Sequence, residues 1–421
     1  MAKYNRIKGT QDIYGEEMKY WSYIEETAKK VLKKYAFNEV RTPIIENTKL
    51  ILRGVGETTD VVQKEMYTFE DKGGRSITLR PEGTAPIVRA YVENSMSSFG
   101  SPTKIFYMGP MFRYEKPQAG RYRQFHQIGA EIFGANTPMA DAEIISMNYD
   151  FLRELGLKNF KIKINSIGCE NCRAEYKNAL KEFYEPLLPQ LCEDCNKRFN
   201  TNIMRLLDCK KDLDKSKNAP SILDYLDEGC KEHFDKLKEY LDEFKIPYEV
   251  DSRIVRGLDY YNRTAFEIEH PMLGSQSAIG GGGRYDGLVS EIGGKETPSV
   301  GMAFGLERLV LALKAEKVEI PENDEIDVYI IYSGEGTQKE AIKIAKDLRE
   351  KNLKIFLNIS KRNFGGQMKH ANKLNSKFAV IIGEDEVKNN IVSFKDLKTG
   401  EQIQVEKGWF INLITEKLEN K

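Results

Sequence analysis

The chain has 421 residues, with 64 Lys+Arg against 64 Asp+Glu and a formal net charge of zero. That length calls for two or three domains, and a zero total gives no support to nucleic-acid binding without excluding it, because local patches matter more than totals. No apolar run reaches the roughly 18 residues of a membrane span, and the opening MAKYNRIKGTQD lacks an apolar signal core, so a cytoplasmic protein is expected. Six cysteines in such a chain argue against a disulfide framework.

Tyr4 to Tyr14 reads as an extended lead-in. Glu16 to Tyr35 carries Met18, Trp21, Ile24, Ala28, Val31, Leu32 and Tyr35 at helical spacing. Phe37 to Pro43 starts a strand that Ile44 and Ile45 continue, and Pro43 puts it at an edge or an interface. Thr48 to Leu52 is helix-like and runs into Gly54-Val55-Gly56. Met66–Phe69 and Ser76–Leu79 form a hairpin closed by Asp71-Lys72-Gly73-Gly74. Glu82 and Thr84 lie between that hairpin and a helix from Ala85 to Ser95, where an acid and a hydroxyl would cap the helix start.

Tyr107 to Phe133 organises the chain. Two β-prone runs flank Lys116-Pro117-Gln118-Ala119-Gly120, the pattern of a long hairpin. In the second run Phe125, Gln127, Gly129, Glu131 and Phe133 share one face, and His126, Ile128, Ala130 and Ile132 share the other. The second set is a core face. The first offers an amide and a carboxylate beside a glycine, with room for a ligand. Arg113 ends the first run, with Glu115 on its face, and the loop adds Lys116, Gln118, Arg121 and Arg123. Such a set could hold a phosphorylated ligand over the sheet and reach a nucleic acid from the tip; an ordinary solvated hairpin would look similar.

Ala140–Leu155 reads as a helix and Phe160–Ile167 as a strand. From Cys169 to Tyr248 the chain turns charged and helical, the mark of an insertion. Cys169-x-x-Cys172 and Cys192-x-x-Cys195 within it suit one tetrahedral structural zinc, which would help order a small domain; the alternative is four reduced thiols packed as small hydrophobes. Arg256-Gly257-Leu258-Asp259-Tyr260-Tyr261 precedes a strand at Thr264–Glu269. Gly280 to Gly283, followed by Arg284-Tyr285-Asp286, allows close backbone approach to a ligand or a flexible turn. Pro298 to Lys314 reads as strand then helix, with Arg308 in the first turns.

Glu316–Glu325, with Pro321, is a linker. Ile326–Tyr332, Thr337–Lys351, Lys354–Ile359, Gly366–Leu374 and Phe378–Ile382 then alternate strand and helix, a separate α/β domain. Between Lys351 and Lys377 there are seven Lys/Arg and no Asp/Glu, with Lys361 and Arg362 just beyond a strand. That is a one-signed electrostatic face.

GPMFRYEKPQAGRYRQFHQIGAEIFG is similar to motif 2 of the class II aminoacyl-tRNA synthetases and, within them, resembles the histidyl-tRNA synthetases. The resemblance implies that Arg113 binds the ATP α-phosphate and that Gln127 and Glu131 belong to a histidine pocket. It also implies that Glu115 and Arg121 serve ATP, and that Lys116 and Gln118 meet the end of the tRNA acceptor stem. The segment around Pro43 resembles motif 1, which builds a homodimer interface. RPEGT resembles the stretch that grips the substrate α-amino group, which would fall to Glu82 and Thr84; a carboxylate suits an ammonium. RGLDYY resembles a histidine-specific signature, with Arg256 as the catalytic arginine on the α-phosphate and Tyr260 and Tyr261 beside the imidazole. GGGRYDGL resembles the second such signature. SVGMAFGLERLVLALK resembles motif 3, with Arg308 on adenine and γ-phosphate.

The C-terminal domain resembles an anticodon-binding domain, with Lys361 and Arg362 as tRNA contacts. The implied architecture is an α+β catalytic domain with a mixed, mainly antiparallel sheet over 1–168 and 249–320. A helical insertion over 169–248 and a C-terminal α/β domain over 326–421 complete it. The implied reaction ligates L-histidine to tRNA(His) through a histidyl-adenylate, with ATP as substrate, Mg2+ alongside it and a structural Zn2+ in the insertion. Positioning and charge neutralisation would carry the chemistry, and His126, on the apolar face, is not expected to act as a base. Two rivals are a histidine-binding regulatory subunit on the same fold and an RNA-binding protein without turnover. The first would tend to lose Arg256 and the C-terminal domain, and the second would not need Arg113, Gln127, Glu131, Arg256 and Arg308 together.

Overall fold

Helix α1 (Glu16–Lys34) has an acidic first turn and a basic last turn, which suit its dipole. Its buried stripe of Trp21, Ile24, Ala28, Val31 and Leu32 follows the helical period. The computed structural model describes residues 4–56, 59–321 and 325–419, and the chain divides into two compact units between Ile320 and Pro321.

After α1, the first unit continues with β1 (Asn38–Glu39), β2 (Ile45–Asn47), α2 (Thr48–Val55), β3 (Tyr67–Glu70), β4 (Ser76–Leu79) and α3 (Thr84–Glu93). The long hairpin is β5 (Thr103–Phe112) and β6 (Gln124–Phe133), followed by α4 (Pro138–Glu154) and β7 (Lys161–Ser166). Helices α5 (Glu170–Tyr184), α6 (Glu193–Thr201) and α7 (Glu228–Glu243) come next. Then follow β8 (Glu249–Val250), β9 (Asn262–Glu269), β10 (Ala278–Arg284), α8 (Leu288–Glu291), β11 (Ser299–Gly305) and α9 (Leu306–Glu316).

The main sheet has the order β1-β5-β6-β11-β10-β9-β7-β8. It is antiparallel through the centre and parallel only where β1 joins β5 and β8 joins β7. This is the mixed, mainly antiparallel sheet expected. One face carries Ile128, Ala130 and Ile132 of β6 with Val300, Met302 and Phe304 of β11, and α1, α4, α7 and α9 pack into the same core. Helix α7 lies in the expected insertion, yet its Phe234, Leu237 and Leu241 belong to this core. The opposite face meets α3 and the remaining insertion residues.

The strand expected from Phe37 through Ile45 is two strands. Asn38–Glu39 joins the main sheet, and Ile45–Asn47 joins a separate sheet ordered β2-β4-β3. Pro43 has no N–H to continue a ladder, and the Arg80 guanidinium occupies the gap, donating to the Thr42 carbonyl (3.0 Å) and hydroxyl (2.9 Å).

The second unit holds β12 (Val328–Tyr332), α10 (Thr337–Glu350), β13 (Ile355–Leu357), α11 (Phe364–Lys373), β14 (Phe378–Ile382), α12 (Glu384–Lys388), β15 (Ile391–Asp396), β16 (Gln402–Glu406) and α13 (Lys407–Glu419). Its sheet order is β13-β12-β14-β15-β16, parallel through the first three strands and antiparallel after β14. Val328 and Ile330 enter one core and Tyr329 and Ile331 the other, so both faces are covered. Residues 322–324 of the expected linker lie outside the described residues. Among the described residues, no helix is long and apolar enough to cross a membrane.

Candidate active site

The β5–β6 register places Tyr107 opposite Gly129 and Ile105 opposite Glu131. Gly129 clears the space that the Tyr107 ring fills: a Cβ there would lie 2.2 Å from Tyr107 Cζ. Gly301 on β11 does the same for Glu131, whose Oε2 would be 1.5 Å from an added Cβ. Glu131 is thereby packed under the sheet face at 1% exposure. It accepts hydrogen bonds from Tyr285 Oη (2.5 Å), Thr84 Oγ1 (3.0 Å) and Tyr107 Oη (3.5 Å). Burial pushes its carboxyl up to about 8 from the ordinary 4.5, against the pull of those donors. Burial also raises the phenols of Tyr107, Tyr260, Tyr261 and Tyr285, which keeps them neutral donors.

Glu82 caps α3. Its Oε2 accepts from Thr84 N (2.6 Å) and its Oε1 from Ala85 N (2.8 Å). Capping and lining coincide, because Glu82 and Thr84 also border a cavity of about 450 Å³. Tyr260 and Tyr261 add an aromatic wall with ring centroids 4.6 Å apart.

The same cavity gathers Arg113, Glu115, Arg121, Gln127, Arg256 and Arg308. Arg113 Nε donates to the Pro81 carbonyl (2.8 Å), and its guanidinium lies 5.2 Å from the Phe125 ring centroid. Arg121 pairs with Glu115 at 3.3 Å. Arg256 Nη1 is 3.4 Å from Glu267 Oε2, and its guanidinium lies over Tyr261 at 5.5 Å. Arg308 donates to the Ala278 carbonyl. Burial, then the nearby charge of Arg121, lowers its pKa. With Arg205, five guanidiniums line the cavity, and they repel one another unless anions join them.

Three polar atoms in the cavity wall, Glu115 Oε2, Gln127 Oε1 and Arg256 Nε, are buried without a hydrogen-bond partner, and of these Glu115 Oε2 has only its ion pair with Arg121. Such orphans are costly and mark a place a ligand completes. The cavity thus offers guanidiniums suited to phosphates together with neutral phenols and buried carboxyls suited to a small amine or imidazole, the two sets meeting where Arg256 lies over the Tyr261 ring.

Lys116 and Gln118 are exposed in the hairpin loop, outside the cavity lining. Gln118 and Arg121 close a tight turn there through paired backbone bonds of 3.1 and 2.9 Å. Lys361 and Arg362 are exposed in the second unit between β13 and α11. Of the basic run there, Lys377 is paired internally with Asp327 (2.9 Å). His126 turns to the other face, bonded to Glu307 (3.1 Å) and edge-on to Trp21.

The sequence reading did not single out Tyr107, Tyr285 or Glu267. Tyr285 stood inside GGGRYDGL, and Glu267 alternates with Phe266 and Ile268 on its strand; those were the available signals. Tyr107 is recognisable only once the register puts it opposite a glycine.

One expectation is corrected. Cys169, Cys172, Cys192 and Cys195 do not converge on one zinc. Cys169 and Cys172 gather with Asp227 and Cys230, whereas Cys192 and Cys195 gather with Cys209 and Asp212. Helix α5 and the turn after it carry the second pair away from the first, and each pair meets partners from a later turn.

Comparison with known proteins agrees with this geometry. The family model described as Histidyl-tRNA synthetase matches residues 9–309, and the one described as Anticodon binding domain matches residues 327–417. The chain is 53% identical to the histidine--tRNA ligase of Thermosipho melanesiensis, over 99% of this chain and 100% of that protein. It is likewise 53% identical to the histidine--tRNA ligase of Thermotoga maritima, over 99% of both. Among solved structures, the histidyl-tRNA synthetase of S. aureus aligns with a TM-score of 0.82 and 39% identity, covering 98% of this chain and 100% of that one. The matched residues 9–309 include the arginine cluster and the tyrosine-lined pocket alike, and the chain belongs to the histidyl-tRNA synthetase family.

Proposed function

We infer that this protein is a histidine--tRNA ligase that activates L-histidine with ATP and transfers it to tRNA(His). The observation that carries the reading is one cavity that joins five guanidiniums to a buried carboxyl–phenol pocket, in a chain similar throughout its length to such ligases. Arg113 and Arg256 would hold the α-phosphate while a histidine carboxylate oxygen attacks phosphorus, forming the carboxyl–phosphate bond and expelling diphosphate. Arg121 and Arg308 would take the rest of the nucleotide. Glu131, Gln127, Tyr260 and Tyr261 would read the imidazole, and Glu82 and Thr84 the ammonium. The terminal ribose hydroxyl then attacks the acyl carbon, AMP leaves, and its phosphate takes the proton. Charge neutralisation by preorganised donors, not a protein nucleophile, lowers the barrier.

The cavity carboxylates Glu115 and Glu267 fit a magnesium ion arriving on ATP, which typically uses one or two carboxylates plus phosphate oxygens; bound, it would neutralise phosphate charge. Lys116 and Gln118 would meet the acceptor end, and Lys361 and Arg362 the anticodon arm. A helical insertion over 169–248, a homodimer and a cytoplasmic location complete the reading. ATP–diphosphate exchange with each amino acid in turn is the test. Histidine alone should give signal; exchange with another amino acid, or with none, would refute the assignment.

A further inference from the structure

We propose that the insertion holds two structural zinc ions, one bound by Cys169, Cys172, Asp227 and Cys230 and the other by Cys192, Cys195, Cys209 and Asp212. In each set the four ligand atoms lie within 4.8 Å of one another. Sulfurs bound tetrahedrally at about 2.3 Å from zinc stand about 3.8 Å apart. The observed separations cluster near that figure: 3.5 Å between Cys169 Sγ and Cys172 Sγ, and 3.8 Å between Cys192 Sγ and Cys209 Sγ. They are far beyond the roughly 2.05 Å of a disulfide, and all six cysteines are free.

The two sets share one construction. A Cys-x-x-Cys pair at a helix start meets a second pair of the same spacing, Asp227-x-x-Cys230 in one set and Cys209-x-x-Asp212 in the other. Cys169 and Cys192 occupy the positions preceding α5 and α6, and neither side chain makes a capping bond. Gly168, at φ +66°, lets the chain turn against Cys172, where an added Cβ would be 2.5 Å from Cys172 Cβ.

Each aspartate turns Oδ2 toward a cysteine sulfur and accepts a backbone N–H from a cysteine of its own set. Asp227 Oδ1 caps α7 by accepting from Cys230 N (2.7 Å), and Oδ2 faces Cys169 Sγ (3.0 Å). Asp212 Oδ1 meets Lys215 Nζ (3.2 Å), and Oδ2 accepts from Cys192 N (2.9 Å) while facing Cys209 Sγ (3.9 Å). Three soft thiolates with one carboxylate select zinc and leave no open position, so neither ion would be catalytic. The first would fasten the chain leaving β7 to the start of α7. The second would brace the turn that brings Arg205 and Asp208 to the cavity wall.

Elemental analysis of the full chain, purified under reducing conditions without added metal or chelator and then offered zinc and desalted, tests the assignment. Two zinc ions per chain are expected, falling to one in Cys209→Ala, one in Cys230→Ala and none in the double variant. One ion or fewer in the wild-type protein overturns the proposal, whether or not the variants fold. Two ions retained by either folded single variant overturns that variant's ligand set.

Discussion

Arg256 and Glu131 show two ways in which burial prepares a side chain. Arg256 is held by a loose pair with Glu267 and by the Tyr261 ring, with Nε unpartnered. An uncompensated donor aimed into a cavity is ready for charge that develops in a transition state. Arg256→Ala should reduce ATP–diphosphate exchange about 100-fold, or ~3 kcal/mol, with circular dichroism unchanged; near-normal exchange by a folded variant would remove the residue from the mechanism. Glu131 is costly to the fold. Its folded pKa, about 8, exceeds the ordinary 4.5, so the folded state holds the proton more tightly than the unfolded chain. The associated stability is complete below pH 4.5 and is lost as pH rises to about 8. Glu131→Gln removes that loss. The variant's melting temperature should gain on the wild type as pH climbs through this window, while histidine activation falls. A melting difference independent of pH would contradict the buried-acid account.

At the scale of elements, β10 explains why a run of glycines forms a strand in the middle of a sheet. Each glycine yields its Cβ space to a neighbour. At Gly280 the occupant is the Phe304 ring, 2.3 Å from an added Cβ. At Gly281 it is Arg256 Nη1 and the Phe266 carbonyl, both at 2.7 Å. Gly281→Ala should therefore displace the arginine or the strand, and a misplacement of about 1 Å can cost as much as ~100-fold in rate. Adenylate formation should fall at least about tenfold with histidine binding largely retained, as calorimetry beside exchange kinetics would show. Full activity would mean that the strand yields without moving Arg256. At the end of β10, Arg284 is fully buried and serves the fold. It pairs with Asp141 on α4, which also accepts from His233 on α7 and Thr264 on β9. One arginine of the GGGRYDGL stretch thus ties a sheet to two helices.

For the whole molecule, the division at 320/321 separates cavity from basic face. Every cavity residue lies in the first unit, and the exposed Lys361, Arg362, Lys369 and Lys373 lie in the second. Deleting 326–421 should damage aminoacylation far more than exchange. Equal loss of both, in a core shown to be folded, would argue against a tRNA-specific role for the second unit. Pro43, Ile44 and Ile45 are exposed, the two isoleucines at 39% and 51%, an apolar strip that a second copy of the chain would cover. Light scattering should give the mass of two 48.3 kDa chains; the mass of one at micromolar concentration would refute the dimer.

What the sequence determined by itself was local. The stripe of α1, the opposed faces of β6, the strand-to-helix step into α9 and the alternation of the second unit all follow from periods of two or 3.6 residues, which repeat within a few positions of each residue. The alternation legible in the sequence stops at Ile382, short of α13 and of the C-terminal hairpin of β15 and β16, closed near Gly400 at φ +81°. The family resemblance brought Arg113, Arg256 and Arg308 to notice one by one. Only the tertiary structure decided what meets what. Tyr285 reaches Glu131 across 154 positions of chain, Asp227 meets Cys169 across 58, and Cys209 lies 17 beyond Cys192. Such pairings depend on strand order, register and the space that glycines leave, and none of these is encoded in the residues adjacent to either partner. For the same reason the CxxC pairs were recognisable in sequence, while their aspartate and third-cysteine partners emerged only when the chain folded back on itself.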